Sequence, residues 1–439
     1  MLFLSDLGAA LEPCGCTSDQ RGGLAHADAF ADGAPVAVGA AGPTFFDELQ
    51  VEPGPGSQAV DKAYAVARIL GQHAFFIAPS RNEFAAGREE LEGLLAAAHA
   101  LPVSSSVLVE ERPHGRPRLV SLGPTKVGVV GYSGAPRDEF IPPVDGVSLA
   151  RNQVSLEHEV DALRREGARF IVLLASAGRG EVLRVVERTP GLNLVVVGDA
   201  AVRGEVVRDD LPVDRLGTTV VVHPASRFQS LAVVELDDRG GEFHERSAAE
   251  GGDAGSSFRV RIEPVVSTLA RGKASDAILA EYNERVDAQN RVRYADRRPQ
   301  APAAGHASYV GVDVCAACHG SAAAFWKSTG HARAYPTLTD RHRAFDLDCV
   351  GCHVTGYEKP GGSTVTHVAK LENVQCEVCH GPGSLHVARG GDPGAIVRRP
   401  EASVCAGCHH EPHVPRGWRV EDHRPRILGP GHGGVKQGP

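Results

Sequence analysis

The sequence predicts two regions of different architecture: an α/β layered N-terminal domain with mixed sheets, then a mainly α-helical and irregular C-terminal domain. Three observations predict this. Up to about residue 265, short β-branched runs alternate with amphipathic stretches. A Pro/Ala-rich segment, Arg297–Gly305, then changes the composition. Beyond it Cys and His dominate, β-branched runs vanish, and Gly and Pro punctuate short helical patterns. A chain of 439 residues is long enough for two or three separate cores.

In chain order, buried strands are expected at Val36–Val38, Ala74–Ala78, Lys126–Tyr132, Phe170–Leu174 and Leu192–Val197, each a short apolar run. Between them Gln58–Leu70, Arg88–His99 and Leu156–Glu166 carry apolar residues at helical spacing. Such alternation argues for an α/β layered domain. The following runs, Thr218–Val222, Leu231–Leu236 and Phe258–Val266, have no helix between them, which points to a mixed sheet or a two-sheet sandwich. Ser247–Ser257 is small, polar and Gly-rich and reads as a loop. Ala274–Tyr294 reads as a charged helix. The domain bounds that follow are 1–265, a helix and linker over 266–304, a Cys/His-rich domain over 305–422, and a disordered tail over 423–439.

The formal net charge is -8, with 14 Lys plus Arg against 12 Asp plus Glu from Gly305 onward. No basic patch or stripe stands out, so nucleic acid is not an expected partner. No run of about 18 apolar residues exists to span a membrane. The start, MLFLSDLG, reads as a β-strand rather than a leader with a basic region and a cleavage site.

Eight of the ten cysteines fall in four identical patterns: Cys315-x-x-Cys318-His319, Cys349-x-x-Cys352-His353, Cys376-x-x-Cys379-His380 and Cys405-x-x-Cys408-His409. Haem c needs two thiols about one helical turn apart for its thioether bonds, and an adjacent His to reach the iron. Zinc would account for the paired cysteines but not for the His after every pair. With 20 His in 439 residues, four such coincidences are not chance. Disulfides equally leave the His without a task. The expectation is four covalently bound haem c groups, held by the eight cysteines with the four motif His as iron ligands. The motifs are packed so tightly in sequence that porphyrins must form most of the core, and neighbouring haems must lie close enough for electron hopping.

The run VCAACHGSAAAFWKSTGHARAY, with DCVGCHVTGY, NVQCEVCHGPGSLH and VCAGCHH, resembles the tetrahaem cytochrome c-554 family over about Tyr309 to His413. The resemblance implies mostly bis-histidine haems and a role as electron carrier, often beside nitrogen- or sulfur-redox enzymes. By matching position it suggests His331 and His386 as distal ligands, with His306, His342, His367, His410 and His413 as further candidates.

The first 265 residues resemble the N-terminal domain of 5'-nucleotidase-like metallophosphoesterases, through LFLSDLGAALEPCGC, RNEFAAG, VDALRREGARFIVLLASAG, NLVVVGDAA and TTVVVHPASRFQSLAVVEL. Active members of that family hold two metals with Asp-x-His, Gly-Asp, Gly-Asn-His-Glu, a lone His and Gly-His-x-His. Here Asp6 is followed by Leu7 and Gly8, Gly39-Ala40-Ala41 stands for Gly-Asp, and Asn82-Glu83 lacks the His. Ala175-Ser176 replaces the lone His, and Asp199-Ala200-Ala201 the last motif. A two-metal hydrolysis has to clamp both attacking and leaving oxygens, which Asp6 and Asn82 alone do not do. Cys14 and Cys16 form a Cys-Gly-Cys loop after the first strand, readable as a metal-ligating or redox dithiol or as an inert structural disulfide.

The sequence thus points to a periplasmic or otherwise extracytoplasmic multihaem c-type cytochrome carrying electrons between redox partner proteins, its leader removed or its start placed downstream. Two alternatives remain at this stage: a haem enzyme acting on a small nitrogen or sulfur compound at an open haem, and a metal-dependent phosphoesterase.

Overall fold

The computed structural model describes the chain except for residues 15–19, 32–36, 55, 136–138, 151–153, 200–212, 247–254, 411–412, 415–417 and 430–439, and the side chains of 14, 154 and 155. It divides into two compact units, Met1–Leu279 and Ala280–Pro439.

The first unit is built on two sheets. One has seven strands in the order His244–Glu245, Ser257–Pro264, Ser230–Asp237, Leu2–Ser5, Ala37–Ala41, Ala74–Ala78, Leu101–Pro102. Leu2–Ser5 pairs parallel with Ala37–Ala41 on one side and antiparallel with Ser230–Asp237 on the other, so the sheet is mixed. The other has six strands in the order Asp214–Leu216, Thr219–Val222, Leu194–Gly198, Phe170–Ser176, Thr125–Ser133, Arg118–Leu122. Its four central strands run parallel and its two edge strands antiparallel.

The alternation of side chains along each strand explains the layering. Phe3, Phe76, Val129, Phe170, Val172, Leu174, Val196, Val222 and Val234 come from both sheets and form one shared core. The reverse face of the six-stranded sheet, carrying Val130, Ile171, Leu173, Val195 and Val197, packs with Leu163, Val182 and Val185 of the helices Val154–Arg165 and Arg179–Glu187. The reverse face of the seven-stranded sheet, with Val38, Ala40, Phe75 and Ile77, is buried as well. Helices Gln58–Leu70 and Arg88–Ala97 bury Val66, Ile69, Leu91 and Leu94, as parallel crossovers require. The mixed-sheet expectation holds for both sheets. Thr219–Val222 closes one of them and Ser230–Asp237 returns to the other, which is why no helix separates those runs. Most of the predicted loop at Ser247–Ser257 lies outside the described residues.

The second unit has a different economy. After the long helix Lys273–Arg293, no described helix exceeds the eight residues of Gly320–Lys327, and among the described residues only isolated bridges such as Val354↔Glu372 represent β structure. Its apolar cluster is small: Val350, Val354 and Val365, with partly buried Tyr294, Tyr335, Phe345, Leu347, Tyr357 and Val368. The segment Arg297–Gly305 is tied down, with Gly361 N–H donating to Gln300 O at 2.7 Å and Thr364 Oγ1 to Arg297 O at 2.6 Å. From the predicted tail, His423 ends the helix Val420–His423 and Arg424–Ile427 forms a 3-10 turn, while 430–439 lie outside the described residues. No described helix is long and apolar enough to cross a membrane.

Candidate haem centres and a closed phosphoesterase cleft

Each of the four motifs is a single helical turn. His319 N–H donates to Cys315 O at 2.9 Å, Cys352 N–H to Cys349 O at 3.2 Å, and His409 N–H to Cys405 O at 2.8 Å. The third motif is the helix Cys376–His380. One turn places the two thiols on the same side and the His just beyond them, which is the arrangement a porphyrin with two vinyl attachments requires. None of the eight motif cysteines is in a disulfide.

The thiols of different motifs meet. Cys315 lies beside Cys376, Cys352 beside Cys408, and Cys379 near Cys405. The first motif therefore neighbours the third, the third the fourth, and the fourth the second.

The imidazoles supply the test of fit for iron. Two His bonded to opposite sides of one haem iron, with iron–nitrogen bonds of roughly 2 Å, have ring centres roughly 6 Å apart. The rings of His319 and His386 are 6.3 Å apart, and those of His331 and His409 are 6.1 Å apart. Ligand His also needs its second ring nitrogen fixed by an acceptor. His353 Nδ1 donates to Ala334 O at 2.6 Å, His380 Nδ1 to Val397 O at 2.6 Å, and His386 Nδ1 to Asp392 O at 2.8 Å, which makes Nε2 the metal-binding nitrogen of each. Burial lowers the pKa of His331, His353 and His409, which favours the neutral imidazole that ligates iron. These residues fit haem c.

The remaining candidates stand elsewhere. His306 is exposed, His367 Nδ1 lies 3.1 Å from Thr366 Oγ1, and His410 packs edge to face on His413 at 5.1 Å. His342 is exposed, with a left-handed backbone.

Two residues that hold the motifs together escaped the sequence reading. The buried carboxylate of Glu377 accepts from Val310 N (3.0 Å), Gly311 N (2.8 Å) and Gly383 N (2.7 Å). Gln375 accepts from Val312 N at 2.7 Å and donates to Lys370 O and Glu372 O. Together they fasten the start of the first motif to the third. Glu377 occupies one of the two positions between haem cysteines that the motif leaves free, so only its charge beside apolar neighbours hinted at a role.

In the first unit, the positions where the phosphoesterase resemblance expects metal ligands are cross-braced. Ser176 Oγ, at the end of its strand, donates to Ala78 O at 2.5 Å and accepts from Gly42 N–H at 2.7 Å. It thus links three strand ends across both sheets. Glu83 is fully buried and accepts from Thr44 N (2.6 Å) and Phe45 N (3.0 Å); desolvation nonetheless raises its pKa to about 8. Asn82 Nδ2 donates to Asp47 O at 2.9 Å. Asp6 accepts from His223 Nε2 at 2.8 Å, and its pKa is raised by burial against the opposing pull of that His. His223 was not singled out in sequence; the signal available was a His directly after a buried β-branched strand.

The backbone closes what is left. A Cβ at Gly198 would lie 2.3 Å from the carbonyl of Ala41, and one at Gly42 only 2.1 Å from Asp6 Oδ1. Gly8, where the family carries a His, has φ +52°, which disfavours a side chain. This residue set does not fit a two-metal hydrolytic centre. Ala200 and Ala201 lie outside the described residues, as do Cys16 and the side chain of Cys14; the backbone of Cys14 pairs with Arg21.

The second unit thus resembles a c-type cytochrome domain, and the first has an α/β fold like that of metallophosphoesterases. Residues 314–381 match the family model of cytochrome c554 and c-prime. The chain is 36% identical over 96 residues to cytochrome c-554 of Nitrosomonas europaea, covering 18% of this chain and 41% of that protein. A 5'-nucleotidase precursor of Thermus thermophilus superposes with a TM-score of 0.51 at 19% identity, covering 65% of this chain and 58% of that one. The sulfate thiohydrolase SoxB of the same organism aligns with a TM-score of 0.48 at 20% identity, over 68% of this chain and 62% of that one. The chain thus spans under half of its curated relative and about three-fifths of each of these structures. The nucleotidase likeness establishes the fold of the first unit and no more, whereas the cytochrome match implies covalently bound haem c.

Proposed function

We propose that this protein binds four haem c groups and passes electrons between redox partner proteins outside the cytoplasm, with the first unit a non-hydrolytic scaffold. The observation that carries this is the repetition of one geometry: four single-turn motifs, two of which have a second imidazole at axial distance. His319 and His386 would then hold the haem of the first motif, and His409 and His331 that of the fourth. His353 and His380 bind the second and third irons. The thiol contacts order the haems as first, third, fourth, second, a chain of neighbours suited to hopping. When bound, the haem supplies the one-electron couple; the polypeptide sets spacing, ligands and access.

The lone methionine, Met1, lies in the seven-stranded sheet, its amino group donating to Val234 O at 2.9 Å. Histidine in place of Met as second ligand keeps haem potentials low. Maturation in a bacterium with a c-type haem system is expected to add four haem masses to the polypeptide. Midpoint potentials are expected mostly below zero on the hydrogen scale. Stoichiometric zinc without haem, or four haems titrating well above zero, would overturn the reading.

A further inference from the structure

Beyond the stretch matched by the cytochrome family, the chain after the fourth motif carries a stack of three rings. The Trp418 indole lies 4.9 Å from the His409 imidazole with an interplanar angle of 11°. His423 also stacks on the indole, at 5.0 Å and 12°. The segment bearing that ring is fastened: Val420–His423 is helical, and Arg424 Nη2 donates to Pro400 O at 2.9 Å, next to the helix Ala402–Ala406 that carries Cys405. The indole is therefore stacked against two imidazoles rather than draped over the surface.

An imidazole bonded to iron through one nitrogen is free to rotate about that bond unless something holds its plane. For His353, His380 and His386 the holder is a backbone carbonyl at Nδ1. For His409 a flat aromatic face does this, since rotation would break its stack on the indole. We infer that Trp418, backed by His423, is a positioning residue that fixes the plane of the His409 imidazole, and with it the 49° angle to the His331 ring across the fourth haem. The inference rests on the assignment of His409 and His331 as axial partners under Proposed function. The angle between two axial planes sets how the iron d orbitals split. It therefore governs both the largest g value of the ferric low-spin signal and the midpoint potential of that haem.

The test uses the full-length holoprotein, with Trp418→Leu, Trp418→Phe and His423→Ala compared with wild type by intact mass, paramagnetic resonance and redox titration. Leu keeps apolar volume without a flat face, and Phe restores the face. The expected result is that Trp418→Leu moves the largest g value and the midpoint of one haem and leaves the other three in place. Trp418→Phe should return both towards wild type, and His423→Ala should give a smaller shift in the same direction. Should Trp418→Leu fail to mature, the His423→Ala shift carries the test. Fully haemylated Trp418→Leu and His423→Ala proteins with wild-type spectra and potentials would overturn the inference. A wild-type protein lacking haem at Cys405 and Cys408 would instead overturn the reading beneath it.

Discussion

The two units reach order by opposite means. Met1–Leu279 fills its interior with its own side chains: Phe3, Phe75, Phe76, Phe170 and Phe258 are buried among aliphatic neighbours, and Ser176 and the Asp6–His223 pair add buried hydrogen bonds. Among the described residues of Ala280–Pro439, Val350, Val354 and Val365 form one small apolar cluster rimmed by half-buried aromatics, and Tyr282, Val286, Leu338 and Leu371 are buried outside it. The first unit is completed by its own side chains, whereas under the proposed function the second is completed by haem.

The largest expected effect tests this contrast directly. Full-length protein made without haem attachment should be degraded rapidly by protease beyond about Arg297, while a fragment close to Met1–Leu279 persists. Mass spectrometry of a timed digest reads the outcome, and equal resistance of both units would break the comparison. A second effect, on the order of a few kcal/mol, concerns pH. Glu83 has its folded-state pKa raised from 4.5 to about 8 by burial. Its proton is bound more tightly in the folded state, so the associated stability is full below about pH 4.5 and is lost as pH rises through about 8. Denaturant unfolding of the first unit should therefore weaken over that window, and Glu83→Gln should flatten the dependence. A slope unchanged in the variant would assign the pH effect elsewhere. The smallest effect sharpens the picture of the closed cleft. Ser176→Ala removes a donor and an acceptor that join Ala78 and Gly42, at an expected cost of about 1–3 kcal/mol by thermal or chemical denaturation. Manganese or zinc should change neither that stability nor the background rate of nucleotide hydrolysis, and turnover abolished by Asp6→Ala would show the cleft to be open after all.

Much of this was legible in the sequence, for reasons that differ by region. Runs such as Phe170–Leu174 and Leu192–Val197 read as strands because both faces of those strands are buried, which leaves no polar alternation to confuse them. The crossing of the chain between sheets after Val222 was not legible, since local pattern does not say which sheet a strand joins. In the second unit the haem motifs announce themselves because thioether chemistry fixes their spacing. The ties between motifs do not: Glu377 and Gln375 act on backbone amides more than sixty residues away, and no short-range pattern records such a partner. Ser176 was seen only as a missing ligand, because a hydroxyl that bridges three strand ends is defined by the sheets it bridges.

The position of Glu377 has a consequence for how such a domain can change over generations. A haem motif looks like a portable cassette, a few residues that could be duplicated or deleted without regard to their neighbours. Here the variable position inside the third cassette holds the entry to the first, through Val310 and Gly311. Excising either would strand a buried carboxylate or release the segment it grips. The domain is therefore one interlocked piece, and under the proposed function its haem number is expected to change by additions at its ends rather than by losses from its middle.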